Sequence, residues 1–148
     1  MISASTPLLL DTNILIHLAR GGTAAQRLES AYALTERRLT PFISVVTVGE
    51  LLSFATRNGW GDARLAALEQ LVSHLVVVDI SREPVLRAYA AFDAQLTGAG
   101  MRMGQQNDLW IAATAAATGA IVLTTDKDFD VLHPGSIQRE WVDPDTLR

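Results

Sequence analysis

The chain alternates short, unbroken apolar runs with longer segments in which apolar residues recur every three or four positions. Residues 7–10 form the first run, and such a run is typical of a strand that is buried on both faces of a sheet. Similar runs occupy residues 41–46, 75–80 and 120–125, and a last short strand is expected to start at residues 136–138, near Trp141. Strands that alternate with helical segments predict a parallel sheet covered by helices on both faces.

The helical segments are bounded by capping residues, glycine and proline. The first helix is expected directly after the first strand, with Thr12 or Asn13 as its cap. The others are predicted at residues 23–38, from 47 to the break at 59–61, from the cap at 62 to about 72, from a start at 81–84 to about 97, and at 109–118 after a cap at 107 or 108. No repeat or linker interrupts this pattern. We therefore predict one α/β domain over residues 1–148, a three-layer α/β/α sandwich with a mainly parallel sheet of four to five strands.

The composition narrows the class of protein. The 148 residues suffice for one domain with a core, and the lack of cysteine excludes disulfides, thiolate metal ligands and cysteine nucleophiles. The histidines are spread apart, which argues against zinc. No segment has the roughly 18 consecutive apolar residues of a membrane span, and no signal peptide is visible. We therefore expect a cytoplasmic protein without membrane contact.

Net charge bears on the choice of partner. The formal net charge of −4 argues mildly against a nucleic-acid binder, since such proteins are more often basic. It does not argue against a nuclease, because an acidic metal site itself lowers the net charge.

Four acidic residues fall at the carboxyl ends of predicted strands or in the helices beside them. Asp11 ends the first strand, Glu50 lies in the first turns of the helix after the second strand, Asp108 opens the helix before the fourth strand, and Asp126 follows that strand. In a parallel sheet these positions lie at one edge, which is where ligands bind in open α/β folds.

Each acid also has a purely structural explanation. Asp11 and Asp108 fit helix caps and Asp126 fits a turn, and taken singly these explanations are preferred. Glu50 is the exception, because its neighbours four residues away on either side are apolar, and a carboxylate there needs a partner or a metal. Together the four charges repel one another unless a cation bridges them. Oxygen ligands without cysteine or paired histidine favour Mg²⁺ or Mn²⁺.

The stretches that contain these acids resemble one family. They are Leu-Asp-Thr-Asn at residues 10–13, and residues 44–51, 107–115 and 123–129. In this order the stretches resemble the PIN-domain ribonucleases, and within them the VapC toxins of toxin–antitoxin pairs. The resemblance implies a PIN-like fold and a metal-dependent endoribonuclease that cleaves RNA phosphodiesters with metal-activated water. It also implies a cognate VapB-like antitoxin, and we expect a homodimer.

The resemblance further implies roles for individual residues. The implied catalytic acids, which also line the metal site, are Asp11, Glu50, Asp108 and Asp126. The implied polar supports of these acids are Thr12, Asn13, Ser44 and Thr47. Asp128 competes with Asp126 for the fourth position. Arg102, in the glycine-rich loop before Asp108, is either a contact for RNA or a solvated loop residue.

Other classes of protein also place acids on such a sheet. A receiver-like signalling domain would use Asp79 as phosphoacceptor and Lys127 as its partner, but it needs two acids after the first strand, where only Asp11 is present. A haloacid-dehalogenase-like phosphatase needs a second aspartate two residues later, where Asn13 stands. A PIN-like nuclease without a toxin role is a further alternative. A PIN-like fold that only binds is disfavoured by the full set of acids.

Overall fold

Five short strands form one sheet in the computed structural model of the chain, which describes residues 2–148. The strands are β1 (Leu8–Leu10), β2 (Phe42–Ser44), β3 (Val76–Val78), β4 (Ile121–Thr124) and β5 (Arg139–Trp141). They lie in the order β3-β2-β1-β4-β5, and every neighbouring pair is parallel. The central strand is β1, so the residue that follows it lies between those that follow β2 and β4.

Helices connect the strands. The α-helices are α1 (Thr12–Arg20), α2 (Gly22–Tyr32), α3 (Val45–Arg57), α4 (Asp62–Ser73), α5 (Glu83–Gly98) and α6 (Gln106–Thr118). Two 3-10 helices, Lys127–Leu132 and Pro144–Leu147, lie on either side of β5. Within residues 2–148, no helix combines the length and the apolar character needed to cross a membrane.

The helices cover both faces of the sheet, because consecutive strand residues point to opposite sides. Leu8 and Leu10 pack into one core with residues of α1 to α4, including Ile14 and Leu28. Leu9 points the other way and packs with residues of α5 and α6. All three β1 leucines are fully buried, which explains why this strand is an unbroken apolar run. The predicted three-layer α/β/α sandwich is confirmed, and the sheet is entirely parallel.

Helix α2 ends earlier than predicted, at Tyr32 rather than at residue 38. Ala33 is left-handed, with φ of 49°, and its N–H donates to the Glu29 carbonyl at 2.7 Å. The Glu29 carboxylate accepts bonds from the backbone and the hydroxyl of Thr35, which holds the chain in a turn. The segment after Tyr32 is therefore a loop. Its Arg37 guanidinium donates to backbone carbonyls of the N-terminal segment and of α2.

Further boundaries differ from the prediction, among them the start of α3 and the start of β5. The Ser44 side chain accepts a bond from the Val46 N–H, so α3 begins at Val45 and not at the predicted residue 47. Strand β5 starts at Arg139 rather than at residues 136–138, because the N–H groups of residues 136 and 137 donate to the Leu132 carbonyl and form a turn.

Candidate metal centre

Asp11 follows β1 and caps α1 with its own side chain. Its Oδ1 accepts a bond from the Thr12 N–H at 2.8 Å, and its Oδ2 accepts one from the Thr124 hydroxyl at 2.8 Å. The predicted caps Thr12 and Asn13 are therefore wrong, since the first side chain after the strand already bonds the helix. Only 4% of Asp11 is exposed, and burial raises the pKa of its carboxyl to about 6, although both hydrogen bonds act in the opposite direction.

Thr124 is a site residue that the sequence analysis did not single out. It is the last residue of β4 and is fully buried. Leu10 pairs with Leu123 across β1 and β4, so the next residues of the two strands also lie side by side. The Thr124 hydroxyl donates to Asp11 and accepts a bond from the Asp126 N–H at 2.9 Å. It thereby links two of the acids, and a polar residue ending an apolar strand is the signal that identifies it.

Glu50 lies in the second turn of α3 and is held by a threonine of α1. The Thr12 hydroxyl donates to Glu50 Oε1 at 2.6 Å, and the Thr47 hydroxyl oxygen lies 3.1 Å from that of Thr12. Both threonines are buried, so this polar contact joins α1 to α3 beneath the acid. The negative charge of Glu50 in turn raises the pKa of Asp11.

Asp108 lies in α6, where its carboxylate is buried. Helix α6 begins at Gln106, so Asp108 lies inside the first turn rather than at the predicted cap. Only 7% of it is exposed, and its Oδ2 has no hydrogen-bond partner within residues 2–148. Burial, followed by the charges of the neighbouring acids, raises the pKa of the Asp108 carboxyl to about 8. Such a group is costly unless it is protonated or bound to a cation.

Asp126 and Asp128 approach Asp108 from the start of the 3-10 helix after β4. Asp126 Oδ1 accepts a bond from the Asp128 N–H at 2.9 Å. One carboxylate oxygen from each of these three aspartates lies within 4.8 Å of the others, a group to which Asp11 and Glu50 do not belong. Burial and the charge of Asp126 raise the pKa of Asp128 above its usual value. Both candidates for the fourth position therefore lie next to Asp108.

The acids face an open cleft of about 730 Å³. Four of them line it together, namely Asp11, Glu50, Asp108 and Asp126. A donor set made of carboxylate oxygens favours a hard divalent cation. Asp108 Oδ2 supplies a ligand atom to which no other group within residues 2–148 is hydrogen-bonded. The residues present therefore fit a divalent metal ion.

The remaining predicted residues lie in different places. Asn13 lines the cleft. The Ser44 hydroxyl is bonded to the start of α3, so it positions the helix that carries Glu50. Arg102 lines a separate depression together with Asp93. The structure thus brings Asn13 to the acids and places Arg102 outside their cleft.

The residues of the receiver-like alternative do not share a site. Asp79 lies in an exposed turn, where its Oδ1 accepts a bond from the Ser81 N–H at 2.9 Å. Strands β3 and β4 are separated by β2 and β1, which keeps Asp79 away from Lys127. The Lys127 ammonium instead lies over the Trp141 ring, 4.5 Å from its centre.

The sequence pattern of the PIN domain family matches residues 8–133, and the chain belongs to this family. The predicted family is thus confirmed. A protein named Ribonuclease VapC5, from Mycobacterium tuberculosis, is 34% identical over 128 residues, which cover 84% of this chain and 86% of that protein.

Solved structures of similar fold include VapBC proteins. VapBC-5 of Mycobacterium tuberculosis, described as a member of the VapBC family of toxin-antitoxin systems, matches with a TM-score of 0.66 and 26% identity over 93% of this chain and 99% of that chain. VapBC2 of Rickettsia felis, bound to a DNA fragment from its promoter, matches with a TM-score of 0.77 and 23% identity. The match covers 93% of this chain and 100% of that chain.

Proposed function

We propose that this chain is a metal-dependent endoribonuclease and the toxin of a VapBC-type toxin–antitoxin pair. The observation that carries the proposal is the cleft lined by four carboxylates, among which Asp108 has a buried oxygen without a hydrogen-bond partner within residues 2–148. Membership in the PIN domain family and similarity to a protein named Ribonuclease VapC5 support it. The substrate is RNA, and the reaction is hydrolysis of a phosphodiester bond.

The proposed cofactor is Mg²⁺, with Mn²⁺ as the alternative. Its proposed ligands are Asp11, Glu50, Asp108 and Asp126, with Asp128 as the alternative to Asp126. When bound, the cation supplies an activated water and positive charge beside the phosphodiester.

Hydrogen bonds around the cleft hold the acids in place before a ligand arrives. Thr124 ties Asp11 to the backbone of Asp126, and Thr12 holds Glu50. Asp108 keeps one oxygen unbonded, so it can bind a cation without first breaking a hydrogen bond. Because the pKa of Asp108 is raised to about 8, protons compete with the cation for this carboxylate. The affinity for the cation should therefore increase as pH rises.

Cleavage of RNA by the purified protein tests the nuclease. We expect cleavage with Mg²⁺ or Mn²⁺, and none in excess EDTA or with the Asp108→Asn variant. Asp79→Asn is the matched control, since Asp79 is an exposed turn residue outside the cleft. Undiminished cleavage in excess EDTA contradicts the proposal.

The toxin role adds partners. We propose that residues 1–148 form one cytoplasmic nuclease domain that pairs as a homodimer, the commonest type of oligomer, and is inhibited by a cognate VapB-like antitoxin. The toxin–antitoxin proteins of similar fold support the antitoxin. Expression with and without the neighbouring gene tests this, and we expect toxicity that the neighbour suppresses, with co-purification of both proteins. A chain that is harmless alone and binds no neighbour is not a toxin, whatever its nuclease activity.

A further inference from the structure

Three arginines and two aromatic rings form a strip that leads away from the acidic cleft. Phe54 and Arg57, both on α3, line the cleft itself. The Arg20 guanidinium carbon lies 5.2 Å from the centre of the Phe54 ring. Phe54 meets the Trp60 ring edge-on, with centroids 5.7 Å apart, and the Arg64 guanidinium carbon lies 5.7 Å from the centre of Trp60. We call these five residues the arginine–aromatic strip.

The three arginines of the strip present their positive charges to solvent. Arg20, Arg57 and Arg64 are exposed, and across residues 2–148 none of them forms a salt bridge. Arg57 donates to the Ser53 hydroxyl at 3.0 Å, which orients it without removing its charge. The whole chain has 12 basic against 16 acidic residues, so a group of three exposed arginines contrasts with its net negative charge. It therefore attracts polyanions toward the edge of the cleft.

Helix stabilisation explains only part of this arrangement. Arg20 and Arg57 lie in the last turns of α1 and α3, where a positive charge interacts favourably with the helix dipole. Arg64 lies in the first turn of α4, where a positive charge opposes the dipole. Its place over Trp60 is thus not accounted for by the stability of its own helix.

We propose that the arginine–aromatic strip binds single-stranded RNA as the strand leaves the cleft, an inference that rests on the proposed nuclease function. A guanidinium that stacks on a ring keeps its N–H edge available for bidentate contact with phosphate. Arginine beside aromatic rings is also typical of single-strand binding surfaces, where bases stack on rings or guanidinium planes. Arg57 contacts the phosphate nearest the cleft, and Arg20 and Arg64 contact phosphates further along the strand.

Equilibrium binding measured without cleavage tests this surface. All proteins carry Asp108→Asn, and the probe is a fluorescein-labelled single-stranded oligoribonucleotide of about 20 nucleotides, followed by anisotropy in Mg²⁺. Adding Arg20→Gln, Arg57→Gln and Arg64→Gln together should weaken binding about tenfold or more. The slope of log affinity against log salt should become shallower by about 2, since each lost phosphate contact to a single strand contributes about 0.7.

Two further sets of variants separate position from charge. Arg38→Gln is the matched control, because Arg38 is exposed and precedes the amino end of β2, whereas the cleft lies at the carboxyl ends of the strands. This variant should change neither the affinity nor the salt slope. Lysine at the three strip positions should restore the slope but only part of the affinity, because lysine lacks the planar, bidentate group.

The outcomes that overturn the proposal are distinct. If the triple glutamine variant binds the oligonucleotide with unchanged affinity and unchanged salt slope, the strip does not bind RNA. Unchanged RNA binding with loss of a co-expressed antitoxin assigns the strip to a protein partner instead. Since binding is read without catalysis, either result is separate from whether the unaltered protein cleaves RNA.

Discussion

Asp11 and Asp108 are both buried in the same cleft, yet their surroundings differ. Both oxygens of Asp11 accept hydrogen bonds, from Thr12 and Thr124, whereas one oxygen of Asp108 accepts none. The pKa of Asp11 is raised to about 6 and that of Asp108 to about 8. Hydrogen bonds thus offset much of the cost of burying the Asp11 carboxylate, which follows β1. The Asp108 carboxylate in α6 needs a proton or a cation to offset that cost.

The largest expected effect is the loss of RNA cleavage when either Asp11 or Asp108 is substituted. Asp11→Asn and Asp108→Asn should each lower the rate of RNA cleavage ~100-fold or more, because each removes a proposed metal ligand. Initial rates at saturating Mg²⁺ measure this, with Asp79→Asn as control. An acid whose variant keeps the unaltered rate does not belong to the ligand set.

Stability against pH should separate the two acids. Folded Asp108 keeps its proton up to about pH 8, while an unfolded aspartate releases it near 3.8, so the folded state binds more protons in this window. The metal-free protein should therefore lose stability as pH rises from about 4 to about 8. Asp108→Asn should flatten this decline and raise the free energy of unfolding near pH 8 by about 1–3 kcal/mol.

Urea unfolding in EDTA, near pH 5 and near pH 8, measures this difference. Asp11→Asn should gain less than Asp108→Asn, because an amide has one acceptor oxygen where Asp11 uses two. Equal pH dependence in the Asp108→Asn variant and the unaltered protein would show that Asp108 does not hold its proton in the folded state.

Thr124→Val should leave one carboxylate oxygen of Asp11 without its hydrogen bond, as is the case in Asp108. The change removes the donor to Asp11 Oδ2 and the acceptor for the Asp126 N–H, and we expect a loss of about 1–2 kcal/mol in the free energy of unfolding. Cleavage should fall about 10- to 100-fold, as when groups that orient metal ligands are removed. Thr125→Val, one residue later, is the control. Unchanged cleavage would show that Asp11 needs no positioning from β4.

The smallest expected effect concerns the fourth acid. A Cβ added at Gly104 would overlap the Asp128 carboxylate, so Gly104→Ala should displace Asp128 while leaving Asp126 in place. If Asp126 is the ligand, the Mg²⁺ concentration for half-maximal cleavage should change less than about twofold, against ~10-fold or more for Asp126→Asn. The reverse order of effects assigns the fourth position to Asp128.

Features that depend on local pattern were predictable from the sequence. The apolar run before Asp11 identifies the central strand, and the alternation of strands with helices brings the ends of β1, β2 and β4 to one edge. Glu50 was expected to need a partner because its neighbours are apolar, and the structure supplies the Thr12 hydroxyl.

Contacts between distant segments were not predictable in the same way. Thr124 is 113 residues from Asp11, and its contact depends on β4 lying beside β1. The left-handed Ala33 that ends α2 has no signal in its residue type, since its turn is held by Glu29 and Thr35. The arginine–aromatic strip joins α1, α3 and α4, so no single window of sequence contains it.

Lys127 is the only lysine of the chain, and its ammonium lies over the Trp141 ring of β5. Amine-reactive dyes therefore have one side-chain target in the molecule, and it lies between Asp126 and Asp128. A fluorophore attached there would lie next to an indole and one residue from Asp126, which lines the cleft. The protein thus offers a natural attachment point for an optical reporter of cation or RNA binding, without an engineered cysteine.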